Sequence, residues 1–173
     1  MTVTIIDYGA GNLKSITNIL DTLNTEYVVT DNPEDILSAK KIIFPGQGHF
    51  AQAMEQLNSK GLTSCIREAA ASGIPFLGIC LGLQILFEKS EEAPGVEGLG
   101  ILKGEVKKFT QGKIPQIGWN KLMPTSNNSI LTEDYYYFVN SYYVVPQNEA
   151  IVSSYCDYHG KFAASVEQQN IMA

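Results

Sequence analysis

The spacing of hydrophobic and polar positions changes several times along the chain. Residues 2–6 form a β-branched run that ends at Asp7, and Tyr8-Gly9-Ala10-Gly11 follows, which predicts a strand and a tight turn. Leu13, Ile16, Ile19, Leu20 and Leu23 then recur at helical spacing behind Asn12, a residue whose side-chain oxygen suits a helix N-cap. Residues 26–30 read as a second strand. Asn32-Pro33-Glu34-Asp35 opens a short helix, with a cap followed by proline at the first helical position. A third strand over 41–44 stops at Pro45-Gly46-Gln47-Gly48, and helices are predicted over 50–57 and 62–71. Residues 75–79 are apolar almost throughout, as a strand covered on both faces is. A helix is predicted from Leu81 to about residue 88.

Strand and helix alternate regularly to this point, which predicts a parallel sheet. After Glu91-Glu92-Ala93-Pro94-Gly95 the strand-like stretches 104–109, 135–139, 150–155 and 162–166 come without long helices. The expected fold class is therefore α/β: a central, mostly parallel sheet with helices on both faces and an antiparallel C-terminal extension. No repeat and no dividing linker is visible, so a single domain over residues 1–173 is expected. Gln168-Gln169-Asn170 reads as a hairpin turn and Ile171-Met172-Ala173 as the opening of another strand. A sheet protein rarely stops one turn into a buried strand, so further C-terminal residues are expected.

Composition narrows the function. Of 173 residues, 45% are hydrophobic and 17% charged, which excludes a disordered chain. Eighteen acidic against 12 basic residues give a net charge of −6. Such a chain gains nothing from displacing counterions on phosphate, so no nucleic-acid partner is expected. No run of 18 apolar residues is present and the first strand lacks the basic flank of a leader, so no membrane association is expected. Cys65, Cys80 and Cys156 are sparse and odd in number, which points to reduced thiols and a cytoplasmic location. With only His49 and His159 beside them, no metal centre and no cofactor is expected.

The sharpest chemical motif is Gly78-Ile79-Cys80-Leu81-Gly82. A strand that delivers a cysteine into a glycine-flanked turn, with a helix directly behind it, has the geometry of a nucleophile elbow. The helix start aims backbone N–H groups and a positive dipole end at the sulfur, which lowers the thiol pKa. The Leu81 N–H is placed to donate to an oxyanion on an attacked carbonyl. The alternative is a small packed cysteine whose glycines serve close approach. Gly46-Gln47-Gly48, after the third strand, offers a second set of N–H donors if the third and fourth strands are neighbours, and is otherwise an ordinary turn. Gly9-Ala10-Gly11 is not a dinucleotide loop: Lys14 stands where a third glycine is required, and Asp7 would repel a pyrophosphate. Trp119-Asn120, after Pro115-Gln116-Ile117-Gly118, is either core or an interface anchor in a loop. The run 135–143 reads as a strand whose exit, Asn140-Ser141-Tyr142, offers polar backbone to a ligand. A cysteine nucleophile needs a base, and sequence sets neither His49 nor His159 beside Cys80.

Ile6-Asp7-Tyr8-Gly9-Ala10-Gly11-Asn12, Phe44-Pro45-Gly46-Gln47-Gly48, Phe76-Leu77-Gly78-Ile79-Cys80-Leu81-Gly82-Leu83-Gln84, Gly118-Trp119-Asn120 and Tyr137-Phe138-Val139-Asn140-Ser141-Tyr142 occur in that order. In this the chain resembles the class I (triad) glutamine amidotransferases, specifically the glutaminase subunits of imidazole glycerol phosphate synthase in histidine biosynthesis. The resemblance implies that Cys80 attacks the side-chain amide of L-glutamine and forms a glutamyl thioester. It implies oxyanion donors at Leu81, Gln47 and Gly48, in a loop that reorients in the family, and a substrate held by Gly46, Gln84 and the Ser141-Tyr142 backbone. It also implies a heterodimer with a (β/α)8-barrel cyclase subunit that receives the ammonia, with Asn12, Trp119, Asn120 and Tyr137 near the interface. The family's histidine and glutamate lie in a His-Pro-Glu segment beyond the next strand, so the triad His and Glu are not among the residues of this chain. Asn140 and Gln116 stand where the family has histidine, and Gln47 where it has valine. These departures bear on the pathway more than on the glutaminase chemistry. They leave open a paralogue serving surface-sugar amidation, and the missing triad base leaves open a catalytically silent regulatory subunit; Gly118-Trp119-Asn120 and the Asn12 turn argue against a third reading, an unrelated cysteine hydrolase.

Overall fold

A computed structural model describes residues 2–173. The first half follows the predicted alternation: β1 (Val3–Ile6), α1 (Leu13–Thr22), β2 (Tyr27–Thr30), α2 (Pro33–Leu37), β3 (Ile42–Gly46), α3 (Phe50–Ser59), α4 (Leu62–Ala71), β4 (Phe76–Cys80) and α5 (Leu81–Gln84). Both predicted caps form, since Asn12 accepts from the Ser15 N–H and Asn32 from the Glu34 N–H. Strands β1, β2, β3 and β4 pair in parallel in the order β2-β1-β3-β4. Alternate strand residues feed two cores. Val3, Ile5 and Ile43 pack with Leu13, Ile16 and Leu20 of α1 on one face. Ile6, Ile42, Phe44 and Phe76 pack with residues of α2, α3 and α4 on the other. Helices therefore cover both faces, as the alternation requires.

The helix predicted to about residue 88 stops at Gln84. Ile85, Leu86 and Phe87 are all fully buried, which three successive residues of a half-covered helix are not. Their carbonyls are taken by another segment. Ile85 accepts from the Leu99 N–H, Leu86 from Leu102 and Phe87 from Gly100, so no following turn of helix claims them.

The second half comprises β5 (Lys89–Ser90), β6 (Gly104–Lys108), β7 (Gln116–Lys121), β8 (Met123–Pro124), β9 (Tyr135–Asn140), β10 (Tyr142–Pro146), β11 (Val152–Asp157), β12 (Lys161–Gln168) and β13 (Ile171–Met172). The predicted turn at 168–170 forms, and β13 bridges the two halves, antiparallel to β12 and parallel to β4. β12 pairs antiparallel with β10, and β10 with β6, which gives the expected antiparallel extension. β7 and β9 stand apart as a two-stranded antiparallel ribbon, so the Trp119 segment, expected as a loop, is a strand. Among the described residues no helix is long and apolar enough to cross a membrane.

Candidate active site

β4 ends at Cys80, which has φ 56° and ψ −115°, a conformation that costs a residue with a Cβ about 1–3 kcal/mol. The crowding around it explains the flanking glycines. A Cβ on Gly82 would collide with the Phe44 carbonyl, and one on Gly46 would come within 2.5 Å of the Gly82 nitrogen. The bend therefore presses against the end of β3, and Gly46 lies in register opposite Cys80. The two glycine loops are thus neighbours.

The Cys80 side chain is exposed at a cavity of about 570 Å³. Its walls include Asn12, Gly46-Gln47-Gly48, Leu81, Gln84, Ser141 and Tyr142. The Tyr142 carbonyl accepts from Gln84 Nε2 at 3.3 Å and from Asn140 Nδ2 at 3.1 Å. One backbone oxygen thus ties α5 to the start of β10. Of the residues expected near a partner, only Asn12 reaches this cavity. Trp119 and Tyr137 stack edge to face across the ribbon, ring centroids 5.5 Å apart, and Asn120 follows Trp119 on β7. A second space of about 270 Å³ adjoins the sulfur. It is lined by Gly78, Cys80, Gln84, Tyr137 and Ala173, beside the part of β4 that β13 does not pair.

The expectation of a lowered thiol pKa is not met. The Leu81 N–H donates to Cys80 and lowers the pKa, but desolvation by the surrounding chain outweighs it and raises the thiol above its ordinary value. The helix behind the sulfur is a single turn of four residues, too short for a large dipole. Asp7 closes the β1–α1 turn on itself by accepting from the Gly9 N–H at 3.0 Å, so that N–H is not free for a phosphate.

Among the described residues neither histidine lines the cavities at Cys80. His49 caps α3, its Nδ1 accepting from the Ala51 N–H. His159 lies at the β11–β12 turn, packed edge to face on Tyr158. Sequence reasoning missed Glu92. Its carboxylate lines the larger cavity and accepts from the Phe50 N–H at 2.7 Å. Nothing in its acidic, loop-like neighbourhood pointed to that place.

A sequence model of the family described as glutamine amidotransferase class-I matches residues 4–173. An imidazole glycerol phosphate synthase subunit HisH from Moorella thermoacetica is 45% identical, over 98% of this chain and 83% of that protein. The subunit of the same name from Aquifex aeolicus is also 45% identical, over 100% of this chain and 86% of its own length. A crystal structure of a glutamine amidotransferase superposes with a TM-score of 0.79 at 18% identity, covering 99% of this chain and 87% of that one. The PurLQS structure from Thermotoga maritima gives 0.71 at 20% identity, with 99% and 84% covered. At those identities the structural likenesses speak for the fold alone.

Proposed function

Because the chain belongs to the class I glutamine amidotransferases, and within them to the HisH subunits of imidazole glycerol phosphate synthase, we infer that it is the glutaminase subunit of that synthase, acting in histidine biosynthesis. Residues 1–173 serve as one amidotransferase domain. The observation that carries this reading is a cysteine held in a strained bend over a cavity walled by a glycine loop, Gln84 and Tyr142.

The Cys80 thiolate adds to the carboxamide carbon of L-glutamine. The Leu81 N–H and the N–H groups of Gln47 and Gly48 stabilise the oxyanion that forms. Collapse of the tetrahedral adduct, with the proton given up by the Cys80 thiol passed to the departing nitrogen, expels ammonia and leaves a glutamyl thioester, which water hydrolyses to glutamate and the free thiol. Gly46, Gln84 and the Ser141-Tyr142 backbone hold the substrate's other end, and the Glu92 carboxylate suits its α-ammonium group. Ammonia that escaped into water at neutral pH would take up a proton and cease to be a nucleophile, so delivery to a docked partner is required.

The ribbon supplies the docking surface. Ile117, Trp119, Tyr137 and Val139 alternate onto one face and are all exposed, Trp119 by 67%. A contiguous apolar face with aromatic anchors is typical of an interaction site. The partner is the (β/α)8-barrel cyclase subunit, and Asn12 and Asn120 contribute at the rim of the contact. The three unpaired cysteines agree with a cytoplasmic setting. Glutamine hydrolysis is expected to be weak for the subunit alone and to rise strongly with the barrel partner and its acceptor, while Cys80→Ala abolishes it. Equal turnover with and without the partner, or full turnover in the alanine variant, contradicts the reading.

A further inference from the structure

Tyr8 stands on the turn after β1, fully buried, with its ring tilted against Phe44 at 5.4 Å between centroids. Among the described residues its hydroxyl has no hydrogen-bond partner. Phenylalanine at the same place would avoid that cost, so the hydroxyl invites a use in another arrangement of the site. Its position is specific. A Cβ on Gly46 would lie 2.8 Å from the hydroxyl oxygen, so the phenol abuts Gly46 on the side where Leu81 and Gly82 also press against it. Burial, and then the charge of nearby Cys80, raise the phenol pKa, which keeps the group a protonated donor.

A planar trans peptide points its N–H and its C=O in opposite directions. Turning the Gln47 N–H toward an oxyanion in the cleft therefore turns the Gly46 carbonyl into the protein, where it needs a donor. An unpartnered donor and a carbonyl that would need one thus meet at one place. We propose that Tyr8 is a positioning residue for the oxyanion loop: its hydroxyl donates to the Gly46 carbonyl when the Gln47 N–H faces Cys80. Gly48 has φ 97° and open space where a Cβ would stand. This inference rests on the reading of Cys80 as the nucleophile.

The test uses L-glutamate γ-semialdehyde. The Cys80 thiolate adds to its aldehyde carbon, the S–C bond forms as the carbonyl π bond opens, and the oxygen takes a proton from water. Nothing leaves, and the resulting thiohemiacetal places its oxygen in the oxyanion position. L-Glutamate, which forms no such adduct, serves as the ground-state control. Tyr8→Phe is expected to weaken the adduct roughly tenfold, about the worth of one hydrogen bond, with glutamate affinity unchanged and the Tm equal or higher. In the complex with the barrel partner the same variant lowers kcat at unchanged KM. Equal adduct affinity in the two proteins, or a parallel loss for glutamate, overturns the role of Tyr8 and leaves that of Cys80 standing. Absence of any adduct on the unsubstituted chain overturns both.

Discussion

At Cys80 two effects act on one sulfur in opposite directions. The Leu81 N–H favours the thiolate, while desolvation by the atoms packed around the bend favours the neutral thiol and prevails. The sign of the consequence follows. A thiol raised above the ordinary range of about 8–9 is mostly protonated at neutral pH, and its thiolate fraction keeps growing past pH 9. Alkylation of Cys80 by iodoacetamide, followed by mass spectrometry, is therefore expected to accelerate continuously through pH 9, and a plateau below pH 8 would show that desolvation does not prevail. The motif around this residue was legible in the sequence because only glycine fits at 78 and 82 beside such a bend. The direction of the pKa shift was not, because it depends on how soon α5 ends and on how closely β3 approaches. Glu92 was illegible for a related reason. Its partner, the Phe50 N–H, is 42 residues away along the chain, and no local pattern encodes such a contact.

Among the elements, the β7–β9 ribbon shows how alternation can be hidden. Pro115 and Gly118 read as loop residues, yet Gly118 pairs with Phe138 within a six-residue ladder. The outward set, Ile117, Trp119 and Lys121 against Val139, Tyr137 and Tyr135, leaves a large apolar surface to solvent. Trp119 contributes little to folding where it is exposed, so Trp119→Ala is expected to leave the Tm near its original value. The same substitution is expected to weaken binding of the barrel subunit by about 2 kcal/mol, roughly 30-fold, as titration calorimetry would measure. Unchanged affinity would move the interface away from the ribbon. The end of α5 was misread because Ile85-Leu86-Phe87 continues the apolar pattern of a helix, whereas tertiary hydrogen bonds from 99–102 settle its length.

On the scale of the whole molecule, one property of parallel sheets assembles the site. β1, β3 and β4 are neighbours running in one direction, so the turns that follow them open at the same edge. Tyr8 through Asn12, Gly46 through Gly48 and Cys80 through Gln84 meet there although they are far apart in sequence. The alternation of strand and helix foretold this half of the sheet. The path from β13 through β12 and β10 to β6 was visible only as a run of strands, because antiparallel order is set by long-range packing. The account as a whole requires that this shared edge hold a site shaped for L-glutamine with Cys80 as its reactive group. Incubation with the γ-chloromethyl ketone analogue of L-glutamine, whose chloride the thiolate displaces, tests that requirement most directly when read by mass spectrometry. The expected result is a single adduct on Cys80, slowed by added L-glutamine, with Cys65 and Cys156 unmodified. Labelling that spares Cys80, or that L-glutamine does not slow, would contradict the account.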